Sequence, residues 1–331
     1  MKDFFRNKKK FLLVVMLMVV TLTGCSVPRG QNGKTYVNSI YTNNDVQVKR
    51  GDVDIPDDKE LQKKYKDYKA DDLITIEKTT FSDAMDEGWF NGLIVWPIAF
   101  LINFVADFSD AGIGIIAATF LIQLLIFLFS IKSQVASQRM QSIQPEMNKI
   151  QAKYAGKTDD RSKMQQAQEM QALYSKYKIN PFGTLLVTFI QFPVILGMYQ
   201  ATMRAYSVVT GSFQGINLAK TPIEGFNLGN YWYVVIFVLM VAFQLLSFKM
   251  PQWLQEHRKK KKHDKEKKYA EPKKKGGNGM MGSMNMMMYM STGMIAIFAI
   301  NWPLGMSFYW LVNSLARVIQ NIVIHKFFIK D

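Results

Sequence analysis

Apolar residues in this chain fall in long unbroken runs, and polar residues fall between them in blocks nearly as long. No charged residue occurs in the 40 positions from Gly277 to Ala316, whereas Lys259 to Lys275 holds ten lysines in 17 positions. A helix needs about 20 apolar residues to cross a bilayer, so the uncharged run suffices for two. Asn301-Trp302-Pro303-Leu304-Gly305 supplies the break between them. Three further uncharged runs predict spans over 111–131, over 181–203 with Pro193 inside, and over 231–249. With 283–302 and 303–325 the pattern predicts an all-α polytopic membrane protein with five transmembrane helices.

The polar blocks differ in kind. Residues 132–180 are dense in Gln, Met, Lys, Ala and Glu, all good helix formers. Met140, Ile143, Met147, Ile150 and Tyr154 recur at spacings of three and four, as do Met164, Ala167, Met170, Leu173, Tyr174 and Tyr177. Gly156 to Asp160 separates the two series, and Asp159 or Asp160 can cap the second, so the block predicts an antiparallel helical hairpin. Residues 25–86 are polar, with few large apolar positions, and read as a partly ordered linker with a short charged helix near 58–70. Residues 204–230 form a loop, 250–282 a basic loop and 326–331 a short tail.

At the N-terminus, Lys8, Lys9 and Lys10 precede the 12-residue apolar run Phe11 to Leu22, which ends in Leu22-Thr23-Gly24-Cys25. That run is short for a span but right for a signal segment. Small residues before a cysteine resemble a bacterial lipobox, in which the thiol is acylated before cleavage. This reading makes 1–24 a lipoprotein signal peptide and Cys25 the lipidated first residue of the mature chain, on the outer face of the cytoplasmic membrane.

Charge decides the topology. Averaged over 331 residues the chain is 49% hydrophobic with a mean hydropathy of −0.02, values that conceal the segregation, and its net charge is +15. A sixth apolar stretch, within 87–110, would reverse every later loop if it crossed. Residues 132–180 carry nine Lys and Arg, and 249–275 carry twelve, so the positive-inside rule keeps both blocks in the cytoplasm. The 87–110 segment therefore lies flat at the outer interface as an amphipathic helix, with Trp89, Trp96, Phe100 and Phe104 toward lipid and with Asn91 and Asn103 as its strongly polar exceptions. On this topology the cytoplasmic pieces, C-terminal tail included, sum to +18 and the outer pieces to −4, and Arg317 is left within a span. Basicity is accounted for by topology, with no DNA or other nucleic acid required.

Chemistry-bearing clusters are scarce. The single cysteine excludes an internal disulfide framework and a cysteine zinc site, and His257, His263 and His325 show no ligand spacing. Neither GxxxxGK[ST] nor GxGxxG occurs, and the spans hold no acidic residue. No metal site, cofactor or enzymatic activity is expected. The polar residues at membrane depth are Gln123, Thr188, Gln191, Gln244, Asn313, Arg317 and Gln320. Any one of the amides can serve an interhelical hydrogen bond or a polar path, while a small-solute transporter or channel remains the alternative. The internal repeats expected of a transporter are absent from the sequence. Met280, Met281, Met284, Met286 to Met288, Met290 and Met294 suit either lipid-facing packing or a slot for varied apolar segments.

The order of these features resembles the YidC/Oxa membrane protein insertases. The resemblance rests on Ile179-Asn180-Pro181 at the mouth of the second span, Gln191-Phe192-Pro193 within it, the Met-rich fourth span, and Trp302-Pro303-Leu304-Gly305 leading to Phe308-Tyr309-Trp310-Leu311-Val312-Asn313. With the lipobox, it points to the lipoprotein forms of Gram-positive bacteria. It implies five spans around a hydrophilic groove open to cytoplasm and lipid, lined by the polar residues above. It also implies nascent membrane proteins as clients, with the Sec translocon, the ribosome and membrane lipids as further partners, and no nucleotide hydrolysis. In one respect the chain departs from the family: where relatives carry an arginine in the first span, this chain has Leu121-Ile122-Gln123-Leu124, and Arg317 stands in the fifth. Gln123 lies eight residues before Ile131 and Arg317 eight before His325, about 12 Å of helix each, so the two are expected at similar depth.

Overall fold

The computed structural model describes residues 28–30, 32–179, 181–261 and 280–328; the side chains of 142, 181–189, 255, 256, 258–261, 280–285, 287 and 288 lie outside the description. The signal segment, Cys25 and most of the basic loop therefore lie outside it as well. In chain order the elements are β1 (Val46–Lys49), α1 (Lys59–Lys64), β2 (Leu73–Ile76), α2 (Phe81–Asp86) and α3 (Trp96–Ala106), the last preceded by a wide helical turn, Asn91–Val95. There follow α4 (Ala111–Ser142), α5 (Gln144–Lys153), α6 (Asp160–Lys176), α7 (Pro181–Arg204), α8 (Tyr206–Thr210), α9 (Pro222–Asn227), α10 (Trp232–Lys261), α11 (Met280–Asn301) and α12 (Leu304–Phe327). They divide into two compact units. The first comprises residues up to 119, 191–234 and 302–309; the second comprises 120–190, 235–301 and 310 onward.

In the first unit, the stretch expected to be a linker folds. Strands β1 and β2 pair antiparallel, Val46 opposite Ile76 and Lys49 opposite Leu73. Their alternation buries Val48, Ile74 and Ile76 on Val37, Ile40, Val53 and Tyr65, with Val209 from α8 completing the core. Four-residue strands need only two buried positions each, too few to show as a period, and two of their core partners, Tyr206 and Val209, lie 130 or more residues further along the chain. Helix α1 falls within the segment read as a charged helix, capped by Asp58 accepting from the amides of Glu60 and Leu61.

Helix α3 separates its faces. Ile98, Ala99, Ile102 and Asn103 are buried. Trp96, Phe100, Phe104 and Phe108, four residues apart, follow one another along the outside with ring centroids 5.3, 6.3 and 5.4 Å apart. The two asparagines that spoil its amphipathicity in sequence are on the inner side. Asn103 donates to the Tyr41 carbonyl at 2.7 Å and accepts from the Ser207 amide and hydroxyl, and Asn91 donates to Glu87 at 3.1 Å.

Tyr41 is the hub of this unit. The last carbonyls of a helix have no partner within it; at the end of α7 they are met by the Thr35 hydroxyl on Met203 at 2.9 Å and the Tyr41 amide on Arg204 at 2.7 Å. The Arg204 side chain, at the helix end where a cation suits the dipole, donates to Glu87 at 2.7 Å and lies over the Tyr41 ring at 5.1 Å. The Tyr41 hydroxyl donates to the same Glu87 oxygen at 2.8 Å. Burial pushes that hydroxyl well above the usual phenol range, so it remains a donor. At the other end of the unit, the first amides of α12 are met by backbone: Leu304 donates to the Lys220 carbonyl and Gly305 to that of Leu218, both at 2.8 Å. Gly112 is required where α4 meets the segment after α8, since a Cβ there would sit 2.2 Å from the Phe213 ring.

In the second unit, α5 and α6 form the hairpin. Asp159 caps α6 by accepting from the Ser162 amide. Ile143, Met147, Leu173 and Ile179 are buried between the helices with Met140, Ile150, Met170, Tyr174 and Tyr177 beside them. Tyr154 and Lys153 both bond Glu169. Met164 and Ala167, expected on the seam, are exposed.

Two predicted spans run on past their expected ends, α4 to Ser142 and α10 to Lys261. Lys and Gln end an apolar run but continue a helix readily, so hydropathy marks where the apolar run ends rather than where the helix ends. Among the described residues, Ala111–Gln141 and Trp232–Leu254 are long and apolar enough to cross a membrane. Helices also stand at the other three expected spans, of 24, 22 and 24 residues for α7, α11 and α12.

The buried ion pair predicts an asymmetry. Arg204 is 4% exposed and Glu87 is 33% exposed. Glu87→Ala strands a buried cation and should destabilise the unit by about 3–5 kcal/mol. Arg204→Met leaves a carboxylate that reaches water and should cost less than half as much. Thermal unfolding of the two variants in detergent micelles checks the order.

Candidate functional site

Three of the polar residues predicted at membrane depth, Asn313, Arg317 and Gln320, lie on one face of α12, joined there by Ser314 and Asn321. Asn313, Ser314, Gln320 and Asn321 each stand three or four residues from Arg317, which places them on one side of a helix. In the second unit this face meets α4 and α10. Gln123, 3% exposed, donates from Nε2 to Asn313 Oδ1, and Asn313 is 2% exposed. One to two turns on, Gln320 donates to the Gln123 carbonyl at 3.1 Å. Further along, Gln138 of α4 donates to the Asn321 side chain at 3.1 Å.

On the α10 side, Ser314 donates to Gln244 Oε1 at 2.6 Å, and both are nearly fully buried. Asn321 donates to the Ser247 carbonyl at 3.4 Å. The result is a strip of amides and hydroxyls, bonded in two sets, that ties three helices and joins residues as much as 197 positions apart in the chain.

Of the predicted residues, Gln123, Asn313 and Gln320 are thus bonded to one another, and Gln244 is bonded to Ser314 on the same helix. Arg317 lies on the same helix face and is half-buried. Gln191 belongs to the first unit, where its Nε2 donates to the Tyr309 hydroxyl at 3.4 Å. The side chain of Thr188 and all of Cys25 lie outside the described residues. Gln123 bonds Asn313 through its side chain and Gln320 through its carbonyl, two contacts that bracket Arg317 on α12.

Sequence reading missed Ser314, Ser247, Asn321, Gln138 and Tyr309. Serine in a span is an ordinary small residue, and Gln138 was assigned to the hairpin by its polar neighbours. Asn321 carried a usable signal, standing four residues from Arg317 on the same face.

Comparison with known proteins bears on what this strip belongs to. The family described as 60Kd inner membrane protein matches residues 103–331. Membrane protein insertase YidC 1 of Streptococcus pyogenes serotype M3 is 33% identical over 254 residues, which are 76% of this chain and 80% of that one. The chain belongs to the YidC/Oxa family of membrane protein insertases. Membrane protein insertase MisCA of Bacillus subtilis is 31% identical over 234 residues, 70% of this chain and 77% of that one. Membrane protein insertase YidC 2 of Listeria innocua serovar 6a is 28% identical over 240 residues, 72% of each. The YidC/Oxa match opens inside α3, so it takes in α4, the hairpin, α7, α10, α11 and α12 with the whole amide strip, while the β1–β2 layer lies ahead of it.

The pairing makes a testable statement about energetics. Asn313→Leu leaves a buried donor on Gln123 and should cost about 1–2 kcal/mol. Adding Gln123→Leu removes that donor and should restore most of the loss. A double-mutant cycle of thermal unfolding in micelles reads the coupling.

Proposed function

We propose that this chain is a membrane protein insertase that guides nascent transmembrane segments into the bacterial cytoplasmic membrane, acting as a facilitator without nucleotide hydrolysis. The observation that carries the reading is the similarity to proteins named membrane protein insertase over 76% of the chain. On this reading α4, α7, α10, α11 and α12 are five spans, and the α5–α6 hairpin and the basic 250–282 loop are cytoplasmic. The segment 87–110 rests at the outer interface, and Cys25 carries lipid at the start of the mature chain. The charge asymmetry supports that orientation, and the outward aromatic row of α3 supports interfacial seating.

The work of an insertase is set by the cost of carrying polar groups through hydrocarbon, several kcal/mol for each group without a partner. A groove open to cytoplasm and lipid shortens the dry path: the client's polar tail lies against protein amides while its apolar segment moves sideways into lipid. Hydrogen bonds already made between Gln123 and Asn313 and between Gln244 and Ser314 support a division of labour. These pairs hold the helices in register, and Arg317, half-buried on the same face with Gln320 beside it, is the groove's cation, replacing the arginine that relatives carry in the first span. Clients approach through the ribosome or the Sec translocon on the cytoplasmic side.

Two experiments test this. Depleting the protein should impair insertion of small one- and two-span membrane proteins; intact insertion with altered solute flux would point instead to a transporter. In a complementation assay Arg317→Ala should fail to support insertion while Arg317→Lys largely supports it, and normal growth with the alanine variant would remove the groove cation from the mechanism.

A further inference from the structure

The first unit contains a cavity of about 470 Å³ that the insertase reading does not use. Its wall joins the segment after Pro28 to the loop around α9. Three cations line it, Arg29, Lys34 and Lys220, together with the amides of Asn217 and Asn227. That clustering runs against its surroundings, because residues 34–110 carry nine basic and fifteen acidic side chains.

The cavity's two carboxylates, Glu224 and Asp52, offset two of its three cations and leave one in excess. Glu224 accepts from the Thr221 amide at 2.6 Å to close the capping box of α9, and Asp52 is exposed. Arg29 donates through Nη2 to the Ala219 carbonyl at 2.8 Å, while its buried Nε has no hydrogen-bond partner among the described residues. An arginine held against a cavity with donor capacity to spare suits an oxyanion, and phosphate geometry matches a guanidinium best. Side-chain amides beside it suit hydroxyl groups.

The rim names the kind of molecule. Leu228, which lines the cavity, is 65% exposed, as are Phe226 of α9 at 53% and Tyr231 and Trp232, at the start of α10, at 70% and 62%. Exposed Tyr and Trp at the end of a membrane helix lie at headgroup level, and basic pockets there take anionic headgroups. We propose that this cavity binds the headgroup of an anionic phospholipid of the outer leaflet. Its phosphate sits against Arg29 and Lys220, its hydroxyls against Asn217 and Asn227, and its acyl chains pass over the Phe226–Trp232 apron. The leaflet assignment rests on the orientation proposed above; the binding does not.

The full-length protein in detergent, examined by native mass spectrometry with added phosphatidylglycerol or phosphatidylcholine, tests it, beside calorimetric titration with soluble glycerol phosphate. Phosphatidylglycerol should be retained preferentially, with retention weakened about tenfold in Lys220→Gln, whose exposed side chain leaves the fold alone, and further in Arg29→Gln. Equal retention of both lipids, or retention unchanged in Lys220→Gln, would overturn the site. Binding of glycerol phosphate without any preference among lipids would overturn the lipid as occupant. Labelling of an introduced cysteine at position 220 from the cytoplasmic side would overturn the leaflet while leaving the binding result intact.

Discussion

Polar groups removed from water must be paired inside the protein, and most of what is distinctive here follows from that constraint. Helix α7 ends with carbonyls that have no partner within the helix, and α12 begins with amides in the same position. In the first unit, Thr35 and Tyr41 meet the former, and the backbone at Leu218 and Lys220 meets the latter. The small β1–β2 layer thereby does more than bury its own few apolar residues. It carries Tyr41, whose amide and ring contact Arg204, whose carbonyl accepts from Asn103 and whose hydroxyl donates to Glu87.

The second unit meets the same constraint with side chains. Gln123, Gln244 and Asn313 would each be costly alone among apolar helices; paired, each contributes modestly to holding α4, α10 and α12 together. Arg317, half-buried, lies on the same face of α12.

Much was legible in the sequence because membrane-crossing segments announce themselves by length and by lack of charge, signals that need no partner to be read. The helical hairpin was legible for a related reason: its helices declare themselves through local spacing and composition, and Asp159 caps α6 as expected. Where the reading failed, the deciding contact was distant. The linker became a folded layer because Val209 and Tyr206 close its core. Met164 and Ala167 left the seam because periodicity defines a face but not how far a neighbouring helix covers it.

The sequence by itself determined the family, the positions of the apolar helices and the set of polar residues within them, since these depend on composition and short-range order. Only the tertiary structure decided that Gln123 pairs with Asn313, that Asn91 and Asn103 face inward, and that Arg204, Glu87 and Tyr41 form one buried knot. Each of these joins helices or layers distant in the chain, and an isolated amide or charge in a sequence carries no mark of which partner will relieve its desolvation.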